Sequence, residues 1–412
     1  MKVRYIYSAC VVIETPDVKI LCDPWFTQGA FEGAWYQYPV LENPIDVIGE
    51  VDYIWISHLH ADHFDPKFLT EYGYRYPHAK KIIGNNAPAF LANLLRVKHF
   101  KFDVVEQLKV GDTEIYVLPN NSRPVDIDNA LVVKYRDQSV VNINDCPIDL
   151  NQVKDILSIC GRPTVGLLPY CGATNHPQSF DMPEDKKIEA ARIKQEHFLN
   201  VYKEYIELLN PKCVIPFAGK YWLGGPLSKQ NKYRGIPDAT VASKLCNRAL
   251  VLADGGKAVF DLDTMKANTV RTEPYDEAIV QQHLDSIEWH GYDYEKDLRM
   301  DPHQLQLLPL LKTALEAARK RFPLKDNYWV CIRPKFVGKY YCFNVSDGDV
   351  QVKEYVDMRP CSEIFIDDRL LYGLLTRLYH WNNAMGGSHY VTRRTPDVFN
   401  REVNYFLDFL HI

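Results

Sequence analysis

Residues 55–66 read WISHLHADHFDP, with three histidines and two aspartates in one short stretch. Of these, His58, His60, Asp62 and His63 have the form HxHxDH. In a loop leaving a strand, His58 and His60 can converge on one cation, while Asp62 and His63 swing to a second a few ångströms away. Neutral imidazoles and a carboxylate suit zinc or iron, and two such ions can hold a bridging hydroxide of depressed pKa. The cluster therefore predicts a nucleophile generator. The competing explanation is a polar loop that is His-rich by accident. At the chain's own His and Asp frequencies, this four-residue pattern would arise in about one such sequence in a thousand.

A ligand loop needs strands to hold it. Lys2–Tyr7, Cys10–Glu14 and Lys19–Cys22 are short β-rich runs separated by polar breaks, which predicts an antiparallel meander, and Val51–Ser57 is a further strand leading into the cluster. Glu114–Leu118, Ala130–Tyr135 and Ser139–Ile143 read as three more. Thr164–Leu168 and Cys213–Phe217 are apolar runs of buried-strand type. They bracket a helix from Pro183 to Leu209, with Pro183, Glu184 and Asp185 at its start and an apolar stripe of Ala191, Phe198, Tyr202, Tyr205 and Leu209. Lys257–Asp261 and Thr269–Thr272 form a closing strand pair. After Pro274 the character changes: a helix over Asp301–Arg321, a strand at Tyr328–Arg333, a hairpin of Lys339–Val345 and Val350–Tyr355, and a helix over Asp368–Tyr379. Two domains are expected, 1–272 and a smaller α+β domain at 275–412.

Composition removes several function classes. The 412 residues carry 48 Lys and Arg against 53 Asp and Glu, a formal charge of −5, which argues against binding nucleic acid through phosphate neutralisation. No segment approaches 18 uncharged apolar residues, so no membrane span is expected. The ten cysteines are scattered singly without a CxxC pair, which reads as reduced thiols in a cytoplasmic protein.

At SACVVIET, ILCDPW, WISHLHADHF and VVNINDC the chain resembles the metallo-β-lactamase superfamily, in the expected order over residues 1 to about 272. Within it, these forms together with DNALVVKYRDQSVVNINDC look most like the metallo-β-lactamase portion of sugar-nucleotide hydroxylases. Those act on CMP-sialic acid or UDP-muramic acid; broader relatives are the lactonase-like hydrolases of ascorbate metabolism. The resemblance implies an α/β fold, an αββα sandwich with a smaller C-terminal α+β domain. It also implies that His58 and His60 hold a first metal, that Asp62 and His63 hold a second, and that Asp145 bridges both. Asp23 then matches the aspartate that orients a ligand histidine.

The sequence departs from that pattern twice. The usual third histidine before the bridging aspartate is missing, leaving Asp126 or Asp128 as substitutes and His176 as the only nearby histidine on a rim loop. The terminal histidine is also absent from VIPFAGKYW, so the second metal is expected to be the weaker. The paired Cys-x-His and Cys-x-x-His of a Rieske domain do not occur.

Trp35, Tyr221 and Trp222 lie in aromatic loops suited to stacking on a sugar or base, and Lys220 to pairing with a carboxylate or phosphate. For any single ring, packing a loop to the core is the commoner role. In HWNNAMGGSHYVTRR, Arg393 and Arg394 are candidates for an anionic substrate group, with His380 and His389 as minor ligand candidates. The leading expectation is a hydrolase using metal-bound hydroxide, with one or two divalent ions, Zn or Fe, on a small polar, sugar-derived or phosphorylated molecule. Asp62 and Asp145 would be its catalytic carboxylates. An iron-dependent oxygenase, which would need an electron-transfer partner, and a non-catalytic sugar or nucleotide binder are the alternatives.

Overall fold

Period-two patterning dictates the layers of the first half. In the computed structural model, which describes residues 1–120 and 128–412, strands Cys10–Glu14 and Lys19–Cys22 turn Val11, Ile13, Ile20 and Cys22 to one face. Cys10, Val12 and Leu21 go to the other. Successive strand side chains point to opposite sides, so a strand that is apolar throughout must be covered on both. One cover is a second sheet, whose Leu131, Val133 and Val140 face the same core as Val11 and Ile13. Its other face, with Ala130, Val132 and Val141, packs on helices Leu150–Cys160 and Glu184–Leu209 through Ile156, Tyr202 and Ile206. Helices Pro66–Arg75 and Phe90–Val97 cover the outer face of the first sheet through Phe68, Leu69, Tyr72, Leu91 and Leu95. The result is an αββα sandwich.

Strands of the first sheet run in the order Lys266–Ala267, Ala258–Asp261, Lys2–Tyr7, Cys10–Glu14, Lys19–Cys22, Tyr53–Trp55, Lys80–Ile83, Asp103–Val104. The second runs Cys213–Phe217, Val165–Pro169, Gln138–Asn142, Asn129–Tyr135, Thr113–Pro119, Gln107–Val110. Tyr53–Trp55 is parallel to both its neighbours, and Gln138–Asn142 is parallel to Val165–Pro169. The chain thus leaves both strands at carboxyl ends, where open α/β sheets commonly present their ligand-binding loops.

Two expected elements are corrected. The strand before the cluster is Tyr53–Trp55 rather than Val51–Ser57. Ala258–Asp261 pairs with Lys266–Ala267, while Thr269–Thr272 contributes only a lone bridge between Val270 and Leu252. The cause is the turn: Asp261 Oδ1 accepts from the backbone N–H groups of Asp263 and Thr264, reversing the chain too early for the later segment to pair.

Further on, a five-stranded sheet has the order Gln351–Lys353, Tyr340–Asn344, Trp329–Pro334, Cys361–Ile366, Val391–Thr395. Val330, Phe343 and Ile364 on one of its faces pack with Leu311 and Leu315 of helix Leu307–Arg321, Leu370 of Asp368–Leu375, and Phe406 of Arg401–Asp408. This region touches the sandwich where Phe180 bridges Thr392 and where Trp35 Nε1 donates to the Gly386 carbonyl at 3.1 Å. Among the described residues, no helix is long and apolar enough to cross a membrane.

Candidate metal centre

The histidine loop is fixed at both ends by buried carboxylates. Asp23 follows strand Lys19–Cys22 in a left-handed conformation, φ 43°, which Asp tolerates better than most residues. Its carboxylate accepts from the Ser57 N–H and hydroxyl, both at 2.8 Å, and from His63 Nδ1 at 2.9 Å. At the far end Asp65 caps helix Pro66–Arg75 by accepting from Phe68 N, and also takes the N–H groups of Phe26 and Thr27. Between them the N–H groups of His63 and Phe64 both donate to the His60 carbonyl, which coils the loop into a single turn. Asp145 arrives from the other sheet, one residue after the left-handed Asn144, whose Oδ1 accepts the Asp145 N–H at 2.6 Å.

These anchors bring two donor groups together. One consists of His58, His60 and Asp145 and the other of Asp62, His63 and Asp145, the donor atoms of each group lying within 4.8 Å of one another. Hydrogen bonds fix the tautomers. The Ser57 hydroxyl donates to Asp23, so its oxygen accepts the proton of His58 Nδ1 at 2.9 Å. Asn382 Oδ1 accepts from His60 Nε2 at 2.6 Å. The bare nitrogens, His58 Nε2 and His60 Nδ1, then face each other at 2.7 Å, an arrangement that repels unless a cation lies between them. In the second group His63 Nε2 is buried without a hydrogen-bond partner, 3.4 Å from both Asp62 Oδ2 and Asp145 Oδ2. Tetrahedral bonds of about 2.0–2.1 Å put ligand atoms about 3.3–3.4 Å apart, so the second group has the spacing of a divalent-ion site, while His58 and His60 of the first lie closer than that.

Electrostatics agree with that fit. Burial depresses the pKa of His58 well below the ordinary imidazole value, which keeps a lone pair available. Burial also opposes charge on His63, yet the carboxylates of Asp62, Asp23 and Asp145 hold its pKa well above the usual value. A positive charge is stabilised there, and a metal ion supplies one.

The donors open into a cavity of about 600 Å³ whose lining includes His60, Asp62, Asp128 and Asp145. Its walls carry Phe31, Trp35, Phe198 and Tyr205, and, from the C-terminal region, Trp381, Asn382, Met385, Tyr405 and Asp408. Asp128 Oδ1 lies 3.5 Å from His58 Nδ1. Asp126 lies outside the described residues.

Other sequence candidates are placed elsewhere. His176 packs against Phe180 with ring centroids 4.7 Å apart and is not among the cavity-lining residues. Lys220 is buried on Asp254, Nζ to Oδ2 2.6 Å, and stacked over Tyr275; it borders a separate small pocket, so it does not reach a substrate in the large one. Tyr221 stacks face to face on Trp35 at 3.4 Å, and Trp222 lies under Arg234. The two aromatic loops pair with each other, Trp222 with Tyr36 and Leu223 with Trp35, and only the first of them reaches the cavity. Arg393 bonds Asp181, and Arg394 lies over Phe180 near Asp397; neither lines the cavity. His380 caps helix Trp381–Gly386, and His389 bonds the Phe31 carbonyl. The C-terminal segment does reach the site, through Asn382 and Met385 instead of its arginines. Asn382 had no signal in the sequence beyond the polar, Gly-containing character of residues 380–394, and Asp408 had none.

Over 235 residues the chain is 31% identical to a protein named for a Rieske 2Fe-2S iron–sulfur centre in Mycolicibacterium smegmatis, covering 53% of this chain and 43% of that one. It is 25% identical over 249 residues to the cytidine monophosphate-N-acetylneuraminic acid hydroxylase of Danio rerio, covering 55% of this chain and 39% of that one. The match thus spans less than half of each of these curated relatives. CmlA, a diiron beta-hydroxylase from Streptomyces venezuelae, superposes with a TM-score of 0.41 at 19% identity, over 59% of this chain and 49% of that one. The family described as the beta-lactamase superfamily domain matches residues 2–218, more than half of the chain, and this protein belongs to that metallo-β-lactamase superfamily.

Proposed function

We propose that the protein is a metal-dependent hydrolase of a small polar substrate, with ions held by His58, His60 and Asp145 and by Asp62, His63 and Asp145. The observation that carries this reading is the sharing of Asp145 between two donor groups that open into one cavity. Divalent ions bound there supply water of lowered pKa and electrostatic stabilisation of a developing oxyanion. The chain's own residues do the rest. Asp23 and Asn382 set the imidazole tautomers, and Asp62, on the cavity lining, is placed to hold a proton. Trp35, Phe198 and Tyr405 offer stacking faces for a sugar or base. Arg401 is the one arginine or lysine among the described lining residues, so it takes the anionic end that Lys220 cannot reach. This supports a sugar-derived or phosphorylated substrate.

A second reading, an iron-dependent oxygenase, is favoured by the three aspartates around the donors, since carboxylate-rich shells suit iron, and by the names of the curated relatives. It would draw its electrons from a partner. Metal analysis of the purified protein, followed by reconstitution of the apoprotein, separates the two. Stoichiometric zinc with esterase, lactonase or phosphatase turnover supports hydrolysis. Iron with an oxygen-sensitive absorption band supports oxygenation, and a protein that retains no metal refutes both.

A further inference from the structure

His60 is oriented by residues more than 300 positions away. Its Nε2 meets Asn382 Oδ1 at 2.6 Å, and the Asn382 amide is itself hydrogen-bonded to the Asp408 carboxylate. Burial raises the Asp408 pKa and the Asn382 contact lowers it, so above pH 7 the amide N–H donates to the ionised carboxylate and leaves the amide oxygen for His60. A neutral imidazole has one N–H. Donating it from Nε2 leaves Nδ1 bare, on the side facing His58.

Both relay residues sit on a rigid frame. Asn382 is in the first turn of helix Trp381–Gly386, where the His380 ring accepts its backbone N–H. Trp381 Nε1 donates to the Leu410 carbonyl at 3.0 Å, and Trp35 Nε1 reaches Gly386 at the helix's other end. Asp408 ends helix Arg401–Asp408, whose Val403, Phe406 and Leu407 are buried.

We infer that Asn382 and Asp408 are positioning residues that lock His60 in the Nε2–H tautomer, so that the C-terminal region completes the donor group formed by His58, His60 and Asp145. This rests on the metal reading above only for its consequence, because the tautomer itself is a property of the metal-free protein. Partners that orient a ligand histidine typically govern ten- to hundredfold in metal affinity.

The test measures the two separately. Nitrogen-15 NMR of histidine-labelled apoprotein is expected to show His60 as the Nε2–H tautomer, and Asn382→Leu to replace it with a mixture. In zinc titrations of the same proteins, Asn382→Leu is expected to weaken one binding step by about ten- to hundredfold. Above pH 7, where Asp408 is ionised, Asn382→Asp alone sets two carboxylates against each other and is expected to weaken it too. The exchange N382D with D408N keeps both hydrogen bonds and is expected to restore tautomer and affinity, which a merely structural loss would not permit. It also keeps the test open if the leucine variant does not fold. An unchanged tautomer in folded Asn382→Leu, or an exchange variant no better than Asn382→Asp, overturns the inference. Failure of zinc to bind the wild-type protein overturns the metal reading instead, and the tautomer result stands apart from it.

Discussion

Replacing Asp23 by Asn changes one proton and almost no volume, which makes it a sharp test of the second donor group. Asp23 now accepts three hydrogen bonds, from Ser57 N, Ser57 Oγ and His63 Nδ1. In Asp23→Asn the oxygen can keep the Ser57 N–H, but an NH2 group then faces the hydroxyl and the imidazole. Ser57 Oγ can accept from it. His63 Nδ1 cannot remain a donor and must pass its proton to Nε2, the atom that lies 3.4 Å from Asp62 and Asp145. A hydrogen bond to a charged group contributes about 1.5–3 kcal/mol, which at about 1.4 kcal/mol per decade is roughly ten- to hundredfold in metal affinity. Calorimetric zinc titration of the apoprotein is the assay. The step assigned to Asp62, His63 and Asp145 is expected to weaken by that factor, the other to change less. Two steps at wild-type affinity would refute the orienting role, and equal loss of both with a lowered melting temperature would show that Asp23 merely holds the loop together.

Three further outcomes are expected. Asp145→Ala should reduce bound zinc at both steps, whereas His63→Ala should remove one, as read by metal stoichiometry after dialysis. Lys220→Met should leave zinc binding unchanged but destabilise the fold by about 3 kcal/mol in denaturant titration, because it leaves the buried Asp254 carboxylate with the Tyr275 hydroxyl but without its cation. Asp408→Asn should stabilise the protein at neutral pH. Burial raises the Asp408 carboxyl from 3.8 to about 7, so the folded state holds a proton that the unfolded state releases. Stability is then greatest below about pH 4 and falls as pH rises through 7. The full shift corresponds to at most about 4 kcal/mol, which water in the cavity screens to roughly 1–3 kcal/mol. The variant should match the wild type at pH 4 and exceed it above pH 7.

What the sequence disclosed divides by range. His58, His60, Asp62 and His63 sit on one short loop, and Asp145 follows a recognisable strand, so local pattern suffices to propose that they meet. Strands such as Cys10–Glu14 and Asn129–Tyr135 are legible because a short apolar run rich in β-branched residues is a local property as well. Lys220 misled for a physical reason: a lysine beside an expected metal strand looks available until Asp254 claims it, and that pairing joins residues 34 apart. Arg393 and Arg394 misled in the same way, since charge marked them while Asp181 and the Phe180 ring absorbed them. Asn382 and Asp408 are the reverse case. Their residue types are ordinary, and what distinguishes them is a contact spanning 322 positions that no window of sequence contains.

That span sets an order of events. Every member of the two donor groups lies within the first 145 residues, while the cavity wall that carries Asn382 and Asp408 is made of residues beyond 380. At about 5–20 residues per second of synthesis, on the order of ten to fifty seconds separate the emergence of Asp145 from that of Asn382. During that interval the chain lacks the wall beyond residue 380 and His60 lacks its Asn382 acceptor. The residues that would hold a metal thus leave the ribosome well before the residues that orient one of them, so the C-terminal wall is the last part of the site to be made.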